Sequence, residues 1–334
     1  MPELPEVEHL RRRLTRLVRG ARIEQALVLR DDILARGARR PKPNEQLTKD
    51  APSSNQSTRT TDRGGATAIA DLLRGRTLID FGRHGKLLLA RLDDGGWLLL
   101  HLGMSGQVLV ADDEDLLQRT DHLHMLLRLQ RADGRPAVLA FRDPRRFGGI
   151  QHAIPNSSRT TTRAPLPAPW DAFGPDAWTG RPALLAPSMR RLASGLSASF
   201  WAERCGVGRR PIKASLLDQH RIAGLGNIYV DEILHRAGIR PSTPCQRLRR
   251  EAWERVAAAA HSILRSAISA GGSTIRDYAD VENRPGTFAR RHAVYGRADQ
   301  PCVSCGRPLR GESIAGRMSV YCPRCQTSCQ LRSR

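Results

Sequence analysis

Lysine is nearly absent from this chain of 334 residues: of its 54 basic residues only Lys42, Lys49, Lys86 and Lys213 are lysines, and the other 50 are arginines. Lys42 and Lys49 lie in a polar low-complexity stretch, which leaves Lys86 and Lys213 in segments with a folding pattern. A guanidinium does not release its proton, whereas the pKa of an ammonium can be tuned for proton transfer. Both lysines are therefore candidates for positions where arginine would not serve; chance is the alternative, and the count alone does not decide. Aromatic residues are scarce as well, at 4% against an apolar fraction of 40%, so the core has to be built mainly from Leu, Ile, Val and Ala. No uncharged apolar run reaches the roughly eighteen residues of a membrane-spanning helix. Glu3, Glu6 and Glu8 stand where a secretion signal needs a cationic flank and an apolar stretch. The expectation is a soluble protein of the cytoplasm with no membrane partner.

Acidic residues are also few, 33 against 54 basic, for a formal net charge of +21. That surplus exceeds what solubility requires and points first to a polyanion, nucleic acid above all. A genome-wide arginine bias would produce the same numbers, so charge leaves both readings open.

The chain is long enough for two packed domains. Val7, Leu10, Leu14, Leu17 and Val18 recur at helical spacing with arginines between them, which predicts an amphipathic helix over residues 5–19. Short β-like runs follow at 23–30, 86–92, 97–102, 107–110, 123–130 and 137–141, with turn signals at 93–96 and 132–134. They predict an antiparallel sandwich. Residues 36–67 are Pro, Ser, Thr, Asn and Arg with almost no apolar side chains, and are expected to be a disordered insertion. Beyond residue 200 the pattern turns helical, at 212–220, 227–237 and 249–270. The fold expected is α+β: a leading helix and β-sandwich over 2–152, a linker over 153–199, a helical domain over 200–296, a cysteine ribbon over 297–326 and a tail over 327–334.

Cys302 and Cys305, then sixteen residues, then Cys322 and Cys325 form two knuckles at the spacing of a tetrahedral Zn²⁺ site. Paired disulfides are the weaker alternative without a secretion signal. Four sulfur ligands leave no open position, so one structural zinc is expected. Cys329 lies close enough to compete; Cys205 and Cys245 have no partner at ligand spacing. Arg307, Arg310 and Arg317 between the knuckles favour DNA over protein as the ribbon's partner.

The chain opens Met1-Pro2-Glu3-Leu4-Pro5-Glu6-Val7-Glu8. Trimming of the initiator methionine exposes Pro2 as a secondary amine. An α-amino group titrates near about 7.7 to 8.0, well below a lysine, and is a ready nucleophile for an aldehyde-level carbon. Glu3 beside it is placed to shuttle a proton. With Gly85-Lys86, His101-Leu102-Gly103-Met104-Ser105-Gly106, Asp143-Pro144-Arg145-Arg146-Phe147-Gly148, Gly224-Leu225-Gly226-Asn227-Ile228-Tyr229 and the cysteine ribbon, this opening resembles the formamidopyrimidine-DNA glycosylase family. The match runs in order through nearly every segment with a folding pattern.

The resemblance implies a bifunctional DNA glycosylase and abasic-site lyase of bacterial type, nucleoid-associated and acting as a monomer. Its partner would be duplex DNA carrying oxidised bases or abasic sites. Pro2 would attack C1′ of the damaged nucleotide, and the resulting iminium would drive elimination of both flanking phosphates. Glu3 would exchange the proton of the sugar oxygen, and Glu6 would support the site from the first helical turn. Lys86 and Arg317 would grip the phosphates and assist elimination. Met104, Arg145 and Phe147 would fill the hole left by the extruded nucleotide, with Arg146 beside them; without the surrounding motifs, a core residue and a strand end are the readings for Met104 and Phe147. Lys213, Asn227 and His101 would contact the DNA backbone, with Gly224 to Tyr229 as the turn of a helix-two-turns-helix element. Gly271-Gly272-Ser273-Thr274 resembles the start of a loop that closes on the flipped base. Thr120 stands where the family usually has histidine, and His122 is its substitute. The insertion, Cys329 and the arginine-rich tail have no counterpart in the family pattern. Two alternatives remain: the endonuclease VIII branch, which prefers oxidised pyrimidines, and a catalytically dead DNA binder. Leu4 and the complete void-filling set favour the purine branch; Pro2, Glu3 and Lys86 favour an enzyme.

Overall fold

The computed structural model describes residues 2–30, 33–34, 65–113, 121–153, 173–180, 195–275 and 278–327. Helix α1, Leu4–Val18, buries Leu4, Val7, Leu10, Leu14 and Val18 along one stripe. Glu6 closes half of a capping box at its start by accepting the Glu3 N–H at 2.8 Å. Eight strands form two antiparallel sheets: β1 Arg22–Val28, β2 Leu78–His84, β3 Leu87–Leu92, β4 Trp97–His101, β5 Gln107–Ala111, β6 Leu123–Gln130, β7 Pro136–Arg142 and β8 Gly149–Ala153. One sheet runs β1-β6-β7-β5 and the other β2-β3-β4-β8. Their inner faces and α1 enclose a core of Leu, Ile and Val, with Phe81 and Phe141 among its few aromatic rings.

The expected strand runs agree with the observed ones to within a residue or two. β2 and β8 were not expected. In β2 the alternation is broken by Gly82, Arg83 and His84, all buried, so polarity misreads that strand. Helix α2, Gly65–Leu73, also overlaps the end of the supposed disordered insertion. Its apolar side packs on the sandwich through Leu73, with Ile69 and Ala70. The rest of that insertion, Thr120, Cys329 and the tail beyond Thr327 lie outside the described residues.

The helical part contains α3 Ala198–Cys205, α4 Ile212–Leu216, α5 Asn227–Ala237 and α6 Arg250–Ser269. α4 stops short of the expected His220 because Asp218 turns the chain: its carbonyl accepts Arg221 N–H at 3.0 Å and its carboxylate accepts His220 N–H at 3.1 Å. A second core forms around Trp201, Tyr229, Trp253 and the aliphatic faces of α5 and α6, and Leu4 of α1 joins it. Tyr278 and Val281, beyond α6, return to the sandwich core. The first helix and this loop thus cross between the two cores, which places Pro2 at their junction. The hairpin β9 Arg310–Ile314 and β10 Arg317–Tyr321 completes the described chain. No helix among the described residues is long and apolar enough to cross a membrane.

Candidate active site and DNA-facing surface

Pro2 and Glu3 are both buried. Glu3 reaches across to the start of α5, where its carboxylate accepts Ile228 N–H at 3.0 Å and Tyr229 N–H at 3.4 Å. In return Leu4 N–H donates to the Gly224 carbonyl at 3.0 Å. A Cβ at Gly226 would lie 2.3 Å from Glu3 Cδ, so only glycine lets the carboxylate sit on the helix terminus. Glu3 thus sits on the N-terminus of α5, where free N–H groups and the helix dipole favour its charge against the penalty of burial.

Glu6 lies one turn deeper and fully buried. Tyr229 Oη donates to Glu6 Oε1, Ser273 N–H donates to the same oxygen at 2.6 Å, and Glu3 N–H takes Oε2. The Ser273 amide comes this close because Gly272, at φ 83°, carries no Cβ; one there would sit 2.6 Å from Glu6 Cγ. Burial pushes the carboxyl pKa of both Glu3 and Glu6 up, against the pull of Lys86 on Glu3 and of Tyr229 on Glu6. Ser273 and Thr274, in the loop expected to close on the flipped base, have hydroxyls engaged within the protein. Ser273 Oγ lies 3.2 Å from Tyr229 Oη, and Thr274 Oγ1 donates to Tyr278 O at 2.8 Å.

Lys86 sits half-buried in the β2–β3 turn. Burial lowers its ammonium pKa and Arg317 adds to that, while Glu3 and Glu6 raise it. These interactions place Lys86, Arg317 and the two carboxylates in one electrostatic neighbourhood. Arg317 is exposed and begins β10 after Ala315-Gly316, both at positive φ, the turn geometry of a tight two-residue hairpin. His101 lies behind Lys86, its pKa lowered to about 4 by burial and then by the lysine charge, so it stays neutral. Asn227 starts α5 and donates through Nδ2 to Met318 O at 3.0 Å.

Lys213 is tied into the fold. It is fully buried, and its Nζ donates to Asp231 Oδ1 at 2.7 Å and to Met318 O at 3.0 Å. Asp231 also accepts Ser319 Oγ at 3.0 Å and Val320 N–H at 3.2 Å. The ammonium therefore pins α4 and α5 to the hairpin, with two of its three N–H donors given to protein acceptors.

Met104 and Phe147 are exposed, at 40% and 53%; exposure removes the core reading for Met104, and Phe147 lies in the loop between β7 and β8, outside either strand. The Arg145 guanidinium stacks over the Phe147 ring at 5.0 Å. Arg146 is also exposed and takes a left-handed φ of 55°, and His122 is exposed at φ 64°. Their loops are tied by Asp143, a residue quoted in the motif without a role. Its carboxylate accepts Ser105 Oγ at 2.5 Å and Gly148 N–H at 2.6 Å, and its carbonyl meets His124 Nε2 at 2.9 Å. A cleft of about 370 Å³ lies between Ser105, Gln107 and Arg142 of the sandwich and Thr274, Tyr278 and Asn283 of the loop beyond α6.

The Sγ atoms of Cys302, Cys305, Cys322 and Cys325 lie within 4.8 Å of one another. Tetrahedral zinc with bonds near 2.3 Å needs sulfurs about 3.8 Å apart; the pairs Cys302–Cys325 and Cys305–Cys322 stand at 4.0 and 3.5 Å. Ser304 and Cys325 N–H groups donate to Cys302 and Cys322 sulfurs, both at 3.4 Å, the thiolate hydrogen bonds typical of such knuckles. Among the described residues, the cluster around them adds Val294, Leu309 and Val320 as buried apolar members, too few to fold the hairpin alone.

The formamidopyrimidine-DNA glycosylase N-terminal domain family matches residues 1–65 and 51–150, its H2TH domain family residues 189–279, and the zinc finger found in FPG and IleRS residues 299–327. The chain is 33% identical to the formamidopyrimidine-DNA glycosylase of Bacillus licheniformis, over 98% of this chain and 99% of the relative. It is 35% identical to that of Thermomicrobium roseum, over 98% and 99%. Among solved structures it resembles the MutM (Fpg) protein from Thermus thermophilus, with 34% identity, TM-score 0.70 and coverage of 97% and 98%. It also resembles the Lactococcus lactis Fpg in complex with an abasic site containing DNA, with 26% identity, TM-score 0.73 and coverage of 97% and 99%. The four cysteines and the matching zinc-finger family together assign one structural zinc to this chain.

Proposed function

The chain belongs to the formamidopyrimidine-DNA glycosylase family, and from that premise we propose how its own residues excise an oxidised purine and cleave the abasic strand. The protein is a DNA glycosylase and abasic-site lyase of base excision repair, and its partner is duplex DNA with oxidised purines or abasic sites. The observation that carries the assignment of roles is the seating of Glu3, next to Pro2, on the N-terminus of α5 with Lys86 as its cationic neighbour.

Pro2, freed of Met1, is the nucleophile. Its nitrogen bonds to C1′, the bond from C1′ to the base breaks, and the base leaves with a proton. Glu3, its pKa raised by burial, holds a proton for the ring oxygen as the sugar opens to an iminium. Loss of the C2′ proton then expels the 3′ phosphate, and a second elimination expels the 5′ phosphate. Lys86 and Arg317 hold those phosphates. Met104, Arg145 and Phe147 enter the duplex from the loops that Asp143 ties together, with Arg146 and His122 at their margin, and Thr120 as a further backbone contact. Asn227 faces the DNA backbone beside the hairpin, and His101 backs Lys86. Zinc cross-links the hairpin that carries Arg317 and supplies no reacting group. The site of action is the bacterial nucleoid, in the cytoplasm, where the substrate lies.

Strand cleavage of duplexes carrying 8-oxoguanine or thymine glycol tests this reading. Faster cleavage at 8-oxoguanine opposite cytosine is expected. A preference for thymine glycol would overturn the purine assignment, and binding without cleavage of either would overturn the catalytic one.

A further inference from the structure

A hydrogen-bond chain runs from the Glu6 carboxylate to the edge of the protein. Each Glu6 oxygen accepts a backbone N–H, from Ser273 to Oε1 and from Glu3 to Oε2, and Oε1 also accepts Tyr229 Oη. With its proton committed to Glu6, Tyr229 Oη accepts from Ser273 Oγ, 3.2 Å away. Ser273 Oγ keeps lone pairs free to accept a further donor, and His292 Nε2 stands 3.0 Å from it. With the proton on Nε2 the donors run in one continuous direction, from His292 to Ser273 to Tyr229 to Glu6. The other end of Glu6 grips the N–H of the peptide that joins Pro2 to Glu3.

The imidazole is held for this task. Its ring packs against Phe288 at 5.8 Å and Tyr295 at 5.6 Å. Glu232 of α5 fixes the backbone just after it, accepting Ala293 N–H at 2.9 Å and Val294 N–H at 3.0 Å. Arg297 closes the same turn by donating to the Ala293 carbonyl at 2.8 Å. A packing residue would need none of the ring nitrogens, yet Nε2 points at the serine hydroxyl.

We propose that His292 is a positioning residue for the reaction, acting through Ser273 and Tyr229 on Glu6 so that the loop beyond α6 and the Pro2 nucleophile are set in place together. The assignment rests on Pro2 being the nucleophile. Closure of Gly272-Ser273 onto Glu6 completes the chain, and the chain holds the Pro2–Glu3 peptide in one orientation. Only the Nε2–H form of the ring donates, and both the neutral Nε2 tautomer and the imidazolium provide it. Chemistry should therefore depend on a donor at this atom, whereas DNA binding, which uses other surfaces, should not.

The test is single-turnover excision and borohydride trapping on an 8-oxoguanine duplex, with affinity for a duplex carrying an abasic-site analogue measured alongside. His292→Leu should slow trapping by up to about tenfold, the upper scale of one net hydrogen bond, with affinity unchanged. His292→Gln, whose amide nitrogen takes the place of Nε2, should restore most of the rate. Ser273→Ala and the double variant with His292→Leu should be equally slow, because the chain is already cut at serine. Leu and Gln variants equal to each other, or a double variant slower than Ser273→Ala, would overturn the proposal. If wild-type protein is not trapped at all, the reading of Pro2 fails and this inference falls with it, an outcome distinct from trapping that is indifferent to His292.

Discussion

At the scale of single residues, charge burial separates groups that the sequence presents as alike. Lys86 and Lys213 are the two lysines of the folded segments and both feel the charges of Glu3 and Arg317, yet Lys213 is fully buried and paired with Asp231, whereas Lys86 is half-buried in the β2–β3 turn. Lys213→Met leaves a carboxylate buried without its cation, so unfolding free energy should fall by about 3–5 kcal/mol. The salt dependence of DNA binding should be unaltered by that variant, whereas Lys86→Met should lower its slope by roughly one phosphate's worth; denaturant titration and binding at several salt concentrations check both. Glu3 behaves oppositely to a surface acid. Its folded pKa lies above the unfolded 4.5 because burial penalises the charge, so the ionised group weakens the fold and that loss grows as pH rises through the folded pKa. Glu3→Gln should therefore raise the melting temperature at neutral pH, with the gain vanishing below about pH 4.5, and should slow base excision by about 100-fold or more. The sequence made Pro2, Glu3 and Glu6 legible because they stand in one contiguous run. It could not show Asp143, Ser273 or His292 at work, because Asp143 meets Ser105 across 38 residues, Ser273 meets Glu6 across 267 and His292 meets Ser273 across 19, and no local periodicity records a hydrogen bond of that span.

At the scale of elements, helices and strands followed apolar spacing wherever packing set the pattern. α1 and α5 were readable almost to the residue, since one face of each is apolar and Gly238 stops α5 in a left-handed cap at φ 70°. β2 was not readable, because its buried Arg83 and His84 imitate a surface loop. The hairpin is the element whose fold depends on chemistry more than on packing. Its five-member core includes two of the metal ligands, so removal of zinc should unfold β9 and β10 and release Arg317. Chelation should abolish strand cleavage while the far-ultraviolet signal of the remaining helices persists, and added zinc should restore activity. Loss of helix in step with loss of metal would contradict this separation.

Across the whole molecule, the two cores are joined by a buried ionic clasp. Arg83 of β2 meets Glu8 of α1 at 3.1 Å and donates two hydrogen bonds to Asp176, whose carboxylate also accepts the Gly85 N–H beside Lys86 at 2.8 Å. Burial opposes the charge on Glu8, but Arg11, Arg83 and Arg12 hold its pKa down at about 2. Its contribution to stability is therefore complete above the unfolded pKa of 4.5 and is lost as pH falls toward 2. Asp176→Ala should destabilise the fold by about 3–5 kcal/mol and loosen the turn that carries Lys86, which calorimetry and single-turnover cleavage would register together. No sequence pattern announces this clasp, because Glu8, Arg83 and Asp176 are separated by scores of residues and each alone reads as solvated charge. The architecture brings the N-terminus, the Lys86 turn and the hairpin to one junction, and the central claim is that the amine of Pro2 performs the chemistry there. The measurement that bears on it most directly is borohydride reduction with abasic duplex DNA followed by peptide mapping of the adduct. The account predicts a sugar remnant on Pro2 of a chain that has lost Met1. An adduct on Lys86 or Lys213, or full-speed cleavage by protein that retains Met1, would contradict it.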